Sequence, residues 1–227
     1  MLTQQHEDFN LQTLKKIYSK NNNEIVLLES GGIGTRPYTI LIIGVFHGDE
    51  PQGKFLIENY LKNVRVQSKN RMLFIPCLNP DGLERKTRQN TNGVDLNRNF
   101  PTKNWAENLK ITEKNEFYGG ESATSEIETK FVVEIIEEFS PDVILTLHAP
   151  FKVVNYDGPA KEIAQKISEI INYPVQHDIG YPTPGSFGTY AGVERNIPTI
   201  TLELDENIDI AELMFPIKEI FNYLASY

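Results

Sequence analysis

The sequence predicts an α/β fold: a single domain with a mixed, mostly parallel central sheet and helices on both faces. Two observations carry this expectation. Short apolar runs with strand character alternate along the chain with longer stretches whose apolar residues recur at helical spacing, the pattern of strands joined by crossover helices. No internal repeat, low-complexity tract or Pro/Gly/Ser-rich linker divides the 227 residues, so one core is expected across 1–227.

The elements follow in order. Residues 1–23 form a polar amino-terminal segment carrying Gln5, Glu7, Asp8, Lys15, Lys16 and Lys20, expected to be ordered in part. Strands are expected at 24–30 and 38–46, the second containing the longest apolar stretch, Ile40 to Phe46. Pro51 suits the first position of a helix over 51–64, and 71–76 is the next strand. The segment from Asn79 to Pro101 begins with turn chemistry, Asn79-Pro80-Asp81-Gly82, and continues as a polar loop. A helix over 125–139 places Ile127, Phe131, Ile135, Ile136 and Phe139 on one face, with Ser125 and Glu128 as a capping box and Glu134, Glu137 and Glu138 on the solvated side. A strand over 142–148, a helix over 159–171, a strand over 199–204 and a helix over 208–224 complete the alternation.

Composition narrows the function. Thirty-one acidic residues against 22 basic ones give a net charge of −9, which repels a phosphate backbone and argues against nucleic-acid binding. No apolar stretch is long enough to cross a bilayer, and the polar amino terminus lacks the apolar run of a secretory signal. The single cysteine, Cys77, cannot form an internal disulfide and suits a small buried hydrophobe in a reducing compartment. The expected location is the cytoplasm, with no membrane partner.

Three of the expected strands end in polar residues: His47 with Glu50, His148, and Glu203. In sheets of this type the ligand site lies at the carboxyl ends of the strands. Two imidazoles and one carboxylate make a catalytic zinc site with a position left open, for which His47, Glu50 and His148 are the candidates. Glu203, a carboxylate inside an apolar run, needs a reason to be half buried and is the candidate general base. Taken alone, His-x-x-Glu spacing is commonly accidental, and a histidine at a strand end is commonly a core residue. The 79–101 loop adds Arg88 and Arg98, whose guanidinium forks suit anionic oxygens.

His47-Gly-Asp-Glu50, Asn79-Pro-Asp-Gly82, the run from Arg88 through Asn-Gly-Val-Asp95-Leu-Asn97-Arg98-Asn-Phe100, Thr146-Leu-His148 and Leu202-Glu-Leu204 occur in the order found in the zinc metallocarboxypeptidase family. The chain resembles that family over about residues 38 to 206. Its short length, Asn104-Trp105 and Gly180-Tyr-Pro-Thr-Pro-Gly-Ser-Phe-Gly188 resemble the amidases within it that act on murein peptides. The resemblance implies one zinc ion per chain held by His47, Glu50 and His148, with Glu203 as base and Arg88 as oxyanion arginine. Arg85 is a rival for that last role. It further implies Asn97 and Arg98 as the grip on a substrate carboxylate, Tyr181 as a substrate-covering residue and Asp95 as the acceptor orienting His47.

The implied partner is a small peptide, a murein tripeptide or similar, cleaved at its γ-D-Glu–meso-diaminopimelate bond. A general C-terminal carboxypeptidase would share the mechanism. An N-acyl amino-acid deacylase of the succinylglutamate desuccinylase or aspartoacylase type shows similar His-Gly-x-Glu and Asp-Leu-Asn-Arg patterns. A non-catalytic binding module on the same fold is disfavoured because all four central positions are filled. Asp49 suits either a substrate amine or a turn hydrogen bond, and Ala149-Pro150 stands where an acidic residue is expected after the third ligand. Trp105 suits loop packing over lining the cleft, and His6 and His177 suit the surface.

Overall fold

Alternating burial along the central strands sets the architecture. In the strand Thr39–Gly44, Ile40 and Ile42 enter one apolar core while Leu41 and Ile43 enter another on the opposite face, as the two-residue period of a strand requires. The computed structural model describes residues 11–35, 37–63, 68–110, 115–177 and 183–227, with the backbone alone for Leu109 and Lys110. Its strands are β1 (Gln12–Tyr18), β2 (Glu24–Gly31), β3 (Thr39–Gly44), β4 (Arg71–Ile75), β5 (Val143–His148), β6 (Val153–Asp157), β7 (Val175–Gln176) and β8 (Thr199–Glu203). The helices are α1 (Gln52–Asn63), α2 (Pro80–Arg85), α3 (Ile127–Phe139), α4 (Lys161–Ile171) and α5 (Ile210–Ser226).

All eight strands join one sheet in the order β1-β2-β4-β3-β5-β8-β6-β7. Its centre, β4-β3-β5-β8, is parallel. The pairs β1–β2, β2–β4 and β6–β8 are antiparallel, so the sheet is mixed. Leu56 and Ile57 of α1, Ile163 and Ile167 of α4, and Ile217 and Phe221 of α5 cover one face. On the other face lie Phe131 and Ile135 of α3, with Phe100 from the arginine loop, and Phe187 and Tyr190 at and within the helical turn Thr189–Val193. The expected α/β fold with helices on both faces is therefore present. From β3 the chain crosses through α1 to β4 on one side, whereas β5 lies on the other side of β3. The carboxyl ends of β3 and β5 thus flank a topological switch point, where open α/β sheets place their ligands.

Several local expectations need correction. The polar segment before residue 24 contains β1, an edge strand that leaves its lysines in solvent, with Lys15 Nζ 2.5 Å from Glu138 Oε2. Asn79-Pro80-Asp81-Gly82 opens α2, with the Asn79 side chain accepting from Gly82 N. The capping box at α3 does not form. Ser125 Oγ donates to Glu126 Oε1 at 2.6 Å, while Asn99 Oδ1 accepts from the Glu126 amide. The helix consequently begins at Ile127, which is 44% exposed, and Glu128 and Thr129 are buried in its first turn. Glu134, Glu137 and Glu138 are exposed, as expected.

Candidate active site

The site is built on the turn that ends β3. Val45 has φ of 56°, a left-handed conformation that costs a β-branched residue about 1–3 kcal/mol and persists only where neighbours enforce it. The neighbouring segment does so. Leu78 N donates to Gly44 O, Asn79 N to Val45 O and Asn79 Nδ2 to Phe46 O. Gly48 lies so close to α2 that a Cβ there would come within 1.9 Å of the Gly82 carbonyl carbon. The turn brings His47 and Glu50 over the sheet edge beside His148, which ends β5.

His47, Glu50 and His148 are all buried, and one donor atom from each lies within 4.8 Å of the others. Glu50 bridges the two rings, with Oε1 2.8 Å from His47 Nδ1 and Oε2 2.9 Å from His148 Nδ1. The Ala149 amide also donates to Glu50 Oε2, at 3.2 Å. The second nitrogen of His47 is 3.1 Å from Asp95 Oδ1. Both His47 nitrogens thus face carboxylate oxygens, which an imidazolium satisfies with two N–H donors. Burial opposes that charge, but Glu50 and Asp95 outweigh it and raise the His47 pKa to about 9. Burial likewise opposes ionisation of Glu50 and Asp95. The two histidines hold Glu50, and His47 with Arg88 and Arg98 hold Asp95, well below the usual carboxylate range.

This donor set fits a zinc ion. It comprises two neutralisable imidazoles and a carboxylate, with an outer carboxylate on the far nitrogen of one imidazole. A cation could take the place of the protons now shared among these groups.

Asp95 also organises the arginine loop. Its Oδ2 accepts from Arg88 Nε at 3.0 Å, and its Oδ1 accepts from the Asn97 amide at 2.8 Å. Arg88 NH1 lies 3.7 Å from Glu50 Oε1. Asn97 Oδ1 accepts from Phe187 N at 2.8 Å, and Arg98 donates to Asn97 O at 2.8 Å. The Phe117 ring lies under both guanidiniums, 5.4 Å from Arg88 Cζ and 5.8 Å from that of Arg98, within cation–π range. Of the rival arginines, Arg88 lines the cavity, whereas Arg85 is exposed at the end of α2 and donates to Asp81 O.

Glu203 ends β8 beside His148, its register partner on β5. Its Oε2 is buried and has no hydrogen-bond partner among the described residues. Burial, with the charge of Glu50, raises its pKa against the opposing pull of the two histidines. A carboxylate in that condition is a proton acceptor held ready in a polar cavity.

One cavity of about 440 Å³ collects His47, Glu50, His148, Arg88, Asn97, Arg98 and Glu203. Asp95 lies fully buried behind it. Tyr181 falls outside the described residues, so its expected position is not observed. Asp49 is exposed on the cavity wall, and Trp105 is packed away from it with Nε1 donating to Gly119 O at 3.4 Å. Sequence reasoning missed Phe117, Asn155, Asp157 and Thr201, which also line the cavity; His177 is exposed, as expected, and lies on the cavity wall. Thr201 was within reach of a simple argument, since residues two apart on a strand share a face.

A family model for zinc carboxypeptidases matches residues 10–166. Murein peptide amidase A of Escherichia coli (strain K12) is 32% identical over 171 residues, covering 72% of this chain and 69% of the relative. The Vibrio campbellii protein of that name is 32% identical over 173 residues, covering 72% and 68%. Among solved structures, murein-tripeptide amidase from Escherichia coli O157 superposes with a TM-score of 0.76 at 24% identity, covering 100% of this chain and 97% of that one. Thrombin-activatable fibrinolysis inhibitor gives 0.75 at 16% identity, covering 97% and 70%.

Proposed function

The chain belongs to the zinc carboxypeptidase family and is a hydrolase of the metallopeptidase type; from that premise we propose that it releases meso-diaminopimelate from L-Ala-γ-D-Glu-meso-diaminopimelate during cytoplasmic recycling of cell-wall peptides. The observation that carries the reading is the convergence in one cavity of His47, Glu50 and His148, a Glu203 carboxylate whose Oε2 has no hydrogen-bond partner among the described residues, and the Arg88 and Asn97–Arg98 group. The identity to murein peptide amidase A over more than two thirds of either chain supports the substrate class. No described helix is long and apolar enough to cross a membrane.

In this reading His47, Glu50 and His148 hold one zinc ion per chain. Bound there, zinc would supply Lewis acidity to the scissile carbonyl and to water. Glu203 takes the proton from the attacking water and passes it to the leaving nitrogen, so the amide C–N bond breaks as a new carboxylate and a free amine appear. Arg88, fixed by Asp95, stabilises the carbonyl oxygen as it gains negative charge. Asn97 and Arg98 grip a carboxylate of the leaving residue, which restricts cleavage to a chain end. Asp95 keeps His47 oriented through its far nitrogen.

The test is mass spectrometry of zinc-loaded protein incubated with L-Ala-γ-D-Glu-meso-diaminopimelate and, separately, with an all-L, α-linked peptide of similar length. Free diaminopimelate from the first peptide alone is the expected result. Cleavage of only the α-linked peptide would make the protein a general carboxypeptidase, and silence on both would favour an N-acyl amino-acid deacylase.

A further inference from the structure

Two arginines with separate tasks converge on one aromatic ring, that of Phe117. The rest of their surroundings differ. Arg88 is anchored on Asp95 through Nε and faces Glu50. Arg98 is buried, yet among the described residues its guanidinium makes one hydrogen bond, to Asn97 O, and no ion pair. A guanidinium is a fork of several N–H donors, so most of the Arg98 fork meets no acceptor among those residues; what its charge does meet is the ring. An aromatic face attracts a cation through its quadrupole without occupying the donors as an oxygen would. It can therefore hold a guanidinium while leaving the fork for a carboxylate, which a carboxylate partner from the protein could not do.

The ring is tied to the loop that bears both arginines. Phe117 belongs to no helix or strand. Its amide donates to Asn115 Oδ1 at 2.9 Å, and Gln89 Nε2, beside Arg88, donates to Asn115 O. After the ring, Tyr118 O accepts from the Asp95 amide at 2.8 Å, and Gly119 O accepts from Asn99 Nδ2, beside Arg98, at 2.8 Å. Gly119 packs so closely that a Cβ there would come within 2.7 Å of Arg98 O. The segment 115–119 is thus laced to the arginine loop on both sides of Phe117. The Phe117 side chain is 38% exposed, lines the cavity and belongs to neither apolar core, so core packing does not account for an aromatic residue there.

We infer that Phe117 is a positioning residue for the hydrolytic reaction, its ring holding the Arg88 and Arg98 guanidiniums in place with their donors free for substrate. The inference rests on the roles proposed above for the two arginines and adds the group that supports them. Those roles set the signature. Arg88 meets charge that develops only as the carbonyl is attacked, so displacing it lowers kcat; Arg98 grips a carboxylate present throughout, so displacing it raises KM. Weakening the attraction of one ring should do both.

The experiment replaces Phe117 by monofluoro- and trifluorophenylalanine, which keep the shape of the ring while draining negative potential from its face, and by leucine and tyrosine. Kinetics on L-Ala-γ-D-Glu-meso-diaminopimelate are measured in each protein and again with Arg88→Ala or Arg98→Ala added. Zinc content, thermal melting and calorimetric affinity for free meso-diaminopimelate, the amine product, are measured alongside. The value of kcat/KM should fall stepwise with fluorination and by about 5- to 30-fold in Phe117→Leu, shared between kcat and KM, with Phe117→Tyr near wild type. Product affinity should weaken in step with the rise in KM. Zinc content and melting should stay constant across the fluorinated series, whereas a ring with a merely structural role would leave the kinetics constant as well. With Arg98→Ala the effect on KM should disappear, and with Arg88→Ala the effect on kcat. Fluorinated proteins with kcat and KM within about twofold of wild type, or losses that persist unchanged without the arginines, would overturn the inference while leaving the amidase reading intact. Cleavage by wild type of only an all-L, α-linked peptide would refute the γ-D-glutamyl reading, and the same series on that peptide would then decide the role of Phe117. Failure to cleave either peptide would overturn both.

Discussion

Replacing Asp95 by asparagine tests how the metal site and the arginine loop depend on one carboxylate. Asp95 is fully buried and accepts three hydrogen bonds, from His47 Nε2 at 3.1 Å, Arg88 Nε at 3.0 Å and the Asn97 amide at 2.8 Å. An asparagine oxygen in the place of Oδ1 can still accept from His47 and Asn97. Its NH2 group would then confront the Arg88 donor, so the arginine loses its anchor while His47 keeps a weaker, neutral one. Loss of an outer-shell partner of this kind costs about 10–100-fold in metal affinity or activity. The lost charge-assisted bond to Arg88 should also cost about 1.5–3 kcal/mol of stability. Zinc affinity by chelator competition, kcat on the murein tripeptide and thermal melting would measure the three effects. A variant whose zinc affinity and kcat both stayed within threefold of wild type would refute the role given to Asp95.

Zinc uptake by the metal-free protein should release the His47 proton, so apparent affinity should fall about tenfold per pH unit below pH 9; titrations in buffers of different ionisation enthalpy would count the proton. Because that pKa is raised in the folded state, His47 stabilises the metal-free protein fully below about pH 6.5, and the contribution disappears as pH rises through about 9. Burial raises the Glu128 pKa to about 7, so its contribution is fully present below its ordinary value near 4.5 and is lost as pH rises through 7. Glu128→Gln, which stays neutral, should therefore be more stable than wild type by about 1–3 kcal/mol at pH 8 and nearly equal to it at pH 4; identical melting of the two proteins at pH 8 would contradict this. Asn79→Ala removes the cap on α2 and the donor shared by Phe46 O and Arg88 O. It should cost about 2–3 kcal/mol in denaturant unfolding, and an unchanged midpoint would show that the lacing of the β3 turn lies elsewhere.

The parts of this site that were legible in the sequence share one physical cause. β3, β5 and β8 are buried on both faces, so their apolar runs stand out, and a polar residue at the end of such a run marks the sheet edge. His47, His148 and Glu203 are marked in the sequence by that pattern alone. The arginines stood out by their chemistry and took their roles from the resemblance, whereas Asp95 came through the resemblance alone, because a separation of 48 residues hides the His47–Asp95 contact. The cavity lining supplied by β6 was not legible. β6 mixes Val153 and Val154 with Asn155 and Asp157, and their place there depends on antiparallel register with a strand more than forty residues downstream. β1 was hidden for a different reason, since an exposed edge strand carries no apolar run.

The central claim is that a metal held by His47, Glu50 and His148 works together with Glu203 as the base. Zinc content and turnover measured on the same preparations of wild type and Glu203→Gln test it most directly. The account predicts one zinc per chain in both proteins and a kcat about 10²–10⁴-fold lower in the variant. Near-wild-type turnover by zinc-loaded Glu203→Gln, or full activity of wild type after zinc removal, would contradict it.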